Sequence, residues 1–259
     1  MTTSTFDTAA KAVAEARASI SVYELPQGLG GAPFDEAYAF QDAYVAAVGK
    51  PVAGYKLAVN GAPQQKHFGV DAPAAARIFA GEVHDSGVAL PKADYDAVSI
   101  EPEIAAVLGE GVSALSGAVD RAGALAAIDR FHPAIELIDQ RGYAVPALEL
   151  AQAIALNVFN AGIVLGPDSI APGDLDLASM QVTLDIDGTR VGDTVNTAPQ
   201  HPLDAVAWLL NHLAAHGLKA EPGMVIMCGT HLPLMTLKPE NSRVDVQMSG
   251  LGAVSFSLS

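Results

Sequence analysis

The sequence predicts an α+β fold: a small helical N-terminal segment, then a mixed, curled β-sheet with helices packed outside it. Three observations carry this reading. Helical patterns are concentrated before residue 50, and strand-like runs dominate afterwards. The later helical stretches do not alternate regularly with strands, which disfavours a doubly wound sheet or a TIM barrel. Half of the 259 residues are hydrophobic and only 17% are charged, with Gly and Ala abundant and aromatics few. That composition supports a large, tightly packed core and argues against disorder.

In chain order, residues 6–21 are Ala-rich with helical apolar spacing, and Gly28 to Pro33 is a Gly/Pro turn. Residues 34–48 read as a second helix, 52–59 as a strand, and Pro63 to Phe68 as a short helix. From Ile78 onward the pattern is strand-rich, interrupted by helices at 119–130, 147–156 and 201–216, where Pro202 suits a first turn. Strands are expected at 160–165, 180–187, 224–228, 232–237, 243–248 and 252–258. Ile186-Asp187-Gly188-Thr189 reads as a hairpin-like turn. Residues 1–50 form the helical segment and 51–259 the sheet domain, although the two are countable as one domain.

The formal charge is -15, from 14 basic and 29 acidic residues, with no Lys/Arg cluster. This disfavours nucleic acid and anionic membranes as partners. An anionic substrate would be caught by a metal or a few local donors. Cys228 is the single cysteine, so no disulfide framework is expected. A reducing, cytoplasmic setting fits. The N-terminus has no signal-peptide pattern. The apolar stretch from Ala144 to Gly166 is broken by Pro146, Glu149, Gln152, Asn157 and Asn160, so it reads as a buried helix followed by a strand.

Three glutamates stand where apolar side chains are expected. Glu101 and Glu103 interrupt the run from Ala97 to Leu108, and Glu136 interrupts Pro133 to Ile138. A buried carboxylate is costly unless it meets a cation. Residues i and i+2 share a strand face, so Glu101 and Glu103 point the same way. A third carboxylate from a neighbouring strand would complete an all-oxygen cage suited to Mg²⁺ or Mn²⁺. The competing reading is a set of edge carboxylates facing water.

Lys56 lies between Tyr55 and Leu57 in a strand. Near a metal it could move protons, and on the exposed face of the strand it would be inert. Most of the seven histidines read as surface or capping residues. Gly250-Leu251-Gly252 has no helix after it, so it is no dinucleotide loop. Asn157, Asn160 and Thr230 sit near segment ends, where such groups hold a ligand carboxylate or satisfy backbone.

Taken together, these segments resemble the fumarylacetoacetate hydrolase superfamily, and within it the 2-keto-4-pentenoate hydratase and 4-oxalocrotonate decarboxylase branch. The carrying residues are Gly54-Tyr55-Lys56, Phe68-Gly69-Val70-Asp71-Ala72-Pro73, Glu101-Pro102-Glu103-Ile104, Pro133 through Arg141, Gly162 through Gly166, His201 through Leu209, and Gly250 through Val254. They follow the family order over nearly the whole chain. The resemblance implies a barrel-like mixed sheet, Mg²⁺ or Mn²⁺ on Glu101, Glu103 and Glu136, and a catalytic Lys56.

Such a site would bind a 2-oxo acid through its carboxylate and keto oxygen. The metal would act as a Lewis acid on the enolate. Hydration of a 2-hydroxy-2,4-dienoate to a 4-hydroxy-2-oxo acid is the leading expectation, and decarboxylation of a 4-oxalocrotonate-type diacid the alternative. The chain departs from the hydratase pattern at Ala74, where that branch usually has Asp. It departs again at Leu156 to Asn160, where the branch has an Asp-Asn-Ala-Ser-Ser type segment. These departures leave room for a weakened partner subunit of a hydratase–decarboxylase pair. No histidine has Glu three residues later, which disfavours carbon–carbon bond hydrolysis. A homo-oligomer is expected.

Overall fold

The computed structural model describes residues 3–24, 28–29, 31–144 and 147–259. Helix α1 (Thr3–Ala18) and helix α2 (Phe34–Val48) precede the sheets. Gly49 ends α2 in the left-handed region, φ 67°, and donates to the Val45 carbonyl, a common helix stop.

The larger sheet is built on β1 (Val52–Ala58), β2 (Ala74–Phe79), β5 (Val98–Leu108), β6 (Ile128–Asp139), β7 (Asn160–Leu165) and β10 (Val225–Thr230). Its order is β2-β1-β10-β5-β6-β7-β3, where β3 is Val83–Asp85, and β11 (Met235–Thr236) pairs with β5. Pairing is mixed: β1 runs parallel to β10, and β3 to β7. The smaller sheet orders β4 (Val88–Leu90), β13 (Gly252–Leu258), β12 (Arg243–Met248), β8 (Gln181–Ile186) and β9 (Thr189–Val195) as β4-β13-β12-β8-β9.

Period-2 alternation decides what each face of the larger sheet carries. From β5, Ile100, Ile104, Ala106 and Leu108 enter the main core with Ile135 and Leu137 of β6. The smaller sheet supplies Val246, Val254 and Phe256 to that core, and α6 (Pro202–Ala215) supplies Val206 and Leu209. On the opposite face lie Ala105, Ala134, Ile163 and Met227 in a smaller cluster. Beyond them α1, α2 and α5 (Leu150–Ala155) pack on Phe79, Ile138 and Phe159. Glu101, Glu103, Glu136 and Lys56 share this second face by alternation. It is enclosed because the sheet curls until β2 approaches β7.

The curl does not close into a barrel, because no strand pairing joins β2 to β7. A side chain bridges the seam instead. Asn157 Oδ1 accepts from the Arg77 N–H at 2.7 Å, and Asn157 Nδ2 donates to the Arg77 carbonyl at 2.8 Å. Asn157, Val158 and Phe159 are all left-handed, at φ 55°, 45° and 53°. Such conformations cost roughly 1–3 kcal/mol each unless the surroundings enforce them. Here the Asn157 bonds and the packing of Phe159 between Tyr23 and Tyr143, each 6.0 Å away between ring centroids, do so.

Several sequence expectations change. The 119–130 helix is α4 (Arg121–Ala127), because β6 starts at Ile128. The 232–237 strand shrinks to Met235–Thr236. β9 was not expected as a strand: its burial alternates weakly and its residues are mostly exposed. The histidines are less scattered than their spread suggests. His212 and His216, four residues apart at the end of α6, have ring centroids at 4.2 Å; His212 stacks on Trp208, and Tyr38 lies tilted against both. No helix among the described residues is long and apolar enough to cross a membrane.

Candidate active site

Glu101 lies directly opposite Glu136 across the β5–β6 ladder, and Glu103 lies opposite Thr230 across β5–β10. The register therefore brings three carboxylates together, with one oxygen of each within 4.8 Å of the others. Glu103 and Glu136 are buried and Glu101 is half-buried. Lys56 is 1% exposed, so the exposed-face reading of this lysine does not hold. Its Nζ donates to Glu136 Oε1 in a buried ion pair.

These groups carry an unbalanced charge. Three carboxylates against one ammonium leave a formal -2. The protein's response is to favour protons: burial first, then the Glu136 charge, pushes the Glu101 carboxyl up to about 8, against the pull of Lys56. Burial, Glu136 and Glu101 raise Glu103 well above the usual carboxylate range, while the Gly229 N–H and Lys56 oppose this. A divalent cation would neutralise the -2, and carboxylate oxygens suit a hard ion. The residues present therefore fit Mg²⁺ or Mn²⁺.

The backbone beside the triad is closely packed. Glu103 Oε2 accepts from the Gly229 N–H at 2.8 Å. Gly229 has φ 107°, and a Cβ there would meet Asn60 Nδ2 at 2.3 Å. Asn60 in turn donates to the Cys228 carbonyl at 2.8 Å. Thr230 Oγ1 bonds both the carbonyl and the N–H of Leu232, fixing the turn after β10.

The triad and Thr230 form one end of a cavity of about 370 Å³. The rest of its wall comes from β1 and the turn after it (Leu57, Val59, Asn60), α3 (Ala62–Phe68; Pro63, Gln64, His67, Phe68), α5 and the loop before it (Leu148, Leu150, Ala153), and Ile138, Val158 and Leu234. The volume lies in the range of small-molecule sites, about 300–1,000 Å³. A larger hollow of about 500 Å³ lies under α1, lined by Arg17, Lys50, Glu82 and Arg141 among others. It contains none of the triad.

Lys56, the three glutamates and Thr230 thus converge, whereas Asn157 and Asn160 do not line the cavity. The amide of Asn157 is committed to the Arg77 backbone. Asn160 Nδ2 donates to Glu82 Oε2 at 2.8 Å beside Arg17. Cavity residues that sequence reasoning did not single out include Asn60, Leu150 and Leu234, and Phe68 and Val158 entered only as parts of longer segments. Ala74 is buried in one cluster with Val59 and Leu150; in the second departure Leu156 and Phe159 pack in the core while Asn157 and Asn160 make hydrogen bonds.

Comparison with known proteins matches this architecture. Residues 53–258 match the fumarylacetoacetate (FAA) hydrolase C-terminal family. The chain is 30% identical over 213 residues to a 2-hydroxyhexa-2,4-dienoate hydratase of Comamonas testosteroni, covering 81% of this chain and 79% of that one. It is 27% identical over 231 residues to a 2-oxo-hept-4-ene-1,7-dioate hydratase of Escherichia coli, covering 85% of each. A solved 4-oxalocrotonate decarboxylase from Pseudomonas putida G7, complexed with magnesium and adipate, superposes with TM-score 0.88 at 23% identity, over 100% of this chain and 99% of that chain. A fumarylpyruvate hydrolase from Pseudomonas aeruginosa, in complex with Mn²⁺ and pyruvate, superposes at 0.59 and 15% identity, over 81% of this chain and 90% of that chain. The likeness to the two solved structures is one of fold. With the family match spanning most of its length, this chain belongs to the fumarylacetoacetate hydrolase family.

Proposed function

We propose that this protein is a divalent-metal-dependent lyase that hydrates a 2-hydroxy-2,4-dienoate to a 4-hydroxy-2-oxo acid. The observation that carries the reading is the charge deficit at the end of the cavity: Glu101, Glu103 and Glu136 within 4.8 Å, offset by Lys56 alone. The hydratase relatives, and the fold-mates crystallised with magnesium or Mn²⁺, support it.

The three carboxylates would hold Mg²⁺ or Mn²⁺, which supplies Lewis-acid polarisation of the keto oxygen of a 2-oxo acid. Glu103 is oriented by the Gly229 N–H, so one of its oxygens is fixed and the other is free to face an ion. Lys56 Nζ, paired with Glu136, is the one ammonium at this end among the described residues. It is placed to hold the substrate carboxylate or to pass a proton to the carbon skeleton.

Decarboxylation of a 2-oxo diacid is the second reading, favoured by the fold match over the whole chain to the decarboxylase. A paired assay decides. Loss of 2-hydroxypenta-2,4-dienoate absorbance with Mg²⁺ or Mn²⁺, stopped by chelator and without carbon dioxide, is the expected result. Metal-dependent carbon dioxide from 4-oxalocrotonate would establish the decarboxylase instead. Metal bound with neither reaction would leave the weakened partner-subunit reading.

A further inference from the structure

We infer that the cavity selects a 2-oxo acid with an uncharged, apolar tail and rejects one that carries a second carboxylate at its far end. This rests on the proposed metal-dependent binding of a 2-oxo acid and adds the class of tail.

The cavity does not end at its apolar walls. A second hollow of about 560 Å³, more open to solvent, adjoins it and is lined by none of the triad. The two share His67, Phe68, Leu148 and Leu150. A substrate whose 2-oxo acid head sits on the triad therefore points its tail between α3 and α5, past Phe68 and Leu150, towards this outer hollow.

The charge along that route has one sign. Among the described residues lining both hollows there is no lysine or arginine. Lys56 is committed to Glu136 at the opposite end. Residues 25–27, 30 and 145–146, adjacent in sequence to lining residues, read Leu-Pro-Gln, Gly and Val-Pro and include no lysine or arginine. His67, exposed, is the one basic side chain at the junction. The outer hollow carries a carboxylate instead: Glu149, whose Oε2 accepts from the Gly31 N–H. A tail carboxylate would lose water among Phe68, Leu148, Leu150 and Val158 and would meet Glu149 beyond them. An unpaired buried carboxylate is strongly disfavoured, whereas each added methylene gains by burial.

The test is calorimetric binding of unreactive 2-oxo acids to the Mg²⁺-loaded protein, so that catalysis is not the readout. Pyruvate, 2-oxobutanoate, 2-oxopentanoate and 2-oxohexanoate form the apolar ladder, and 2-oxoglutarate and 2-oxoadipate carry the second carboxylate. The expected result is tightening of about three- to four-fold per methylene. 2-Oxohexanoate is expected to bind at least about tenfold tighter than 2-oxoadipate. His67→Ala is expected to keep that preference. Leu148→Arg, at a half-exposed wall position common to both hollows, is expected to narrow or reverse it. Diacids that bind as well as or better than monoacids, or affinity independent of chain length, would overturn the tail assignment while leaving the 2-oxo acid site in place. Metal held with no 2-oxo acid of either kind bound would overturn the proposed function, and the tail assignment with it.

Discussion

Both sheets set two carboxylates directly opposite each other on neighbouring strands, an arrangement that is ordinarily repulsive. In the larger sheet the pair is Glu101 and Glu136, and in the smaller it is Asp185 and Asp245. The smaller sheet resolves the repulsion locally. Arg190 pairs with Asp185 and Arg243 with Asp245, all in contact with water. The larger sheet buries Glu136, half-buries Glu101, adds the buried Glu103, and supplies only Lys56. Acidic strand residues alone therefore say little. The mark of a site is a cluster whose charge is left uncompensated away from water.

The most severe way to break the contrast is to remove the deficit. Glu103→Gln keeps an acceptor for the Gly229 N–H, so the fold is expected to survive. Metal affinity is expected to fall by more than the roughly 10–100-fold that loss of an outer partner costs. Titration of Mg²⁺ or Mn²⁺ followed by calorimetry measures it, and a folded variant with unchanged affinity would refute the cage. Next, Lys56→Met is expected to retain metal but lose about 10²–10⁴ in kcat. Without metal it is expected to lose about 3 kcal/mol or more of stability, as a buried pair does when one partner goes. Urea melts with and without metal separate the two effects.

The deficit also fixes a pH dependence. The folded Glu101 carboxyl sits at about 8, above an unfolded value of about 4.3. Between those values the folded metal-free protein binds more protons than the unfolded chain. Its stability is therefore expected to fall as pH rises through that window. Saturating Mg²⁺ is expected to raise the melting midpoint and flatten the slope. Metal-free melts that strengthen from pH 5 to pH 8 would contradict the unbalanced charge.

Much of the larger sheet's logic was legible in the sequence, and the reasons are specific. Glu101 and Glu103 are two apart, so a strand puts them on one face whatever surrounds it. Glu136 lies in a second apolar run, and only pairing could bring it near. Lys56 was less legible, because a lysine in an apolar strand reads alike whether it faces water or a carboxylate. Curling of the sheet decides the matter, and that is a long-range property. Asn157 was left open for a related reason. A polar residue after an apolar helix suggests a ligand contact, yet its amide closes the seam between β2 and β7. Three successive left-handed residues leave no mark in sequence when none of them is glycine. The cavity walls were hidden as well, since Phe68, Leu150 and Val158 resemble any other core residue.

The seam gives a prediction of intermediate size. Asn157→Ala would leave the buried Arg77 N–H and carbonyl without partners and release the left-handed turn. The expected loss is about 2–4 kcal/mol, from two unsatisfied backbone groups, with Val158 displaced from the cavity wall. A urea midpoint unchanged by the substitution would show that the seam is held by packing alone.

The smaller sheet supplies the mildest test, and it completes the contrast. Arg190→Ala removes the partner of Asp185 and leaves that carboxylate facing Asp245. If opposed carboxylates mattered by themselves, this variant would resemble a lesion in the Glu101–Glu136 pair. It should not. Arg190 is 48% exposed and Asp185 29%, so water and salt screen what the guanidinium neutralised. Metal affinity and kcat are expected to stay at the wild-type level. The melting midpoint is expected to move little, and less still as salt is added. A large, salt-insensitive loss would mean that the smaller sheet depends on its ion pairs as the larger one does on Lys56. Burial would then no longer separate the two.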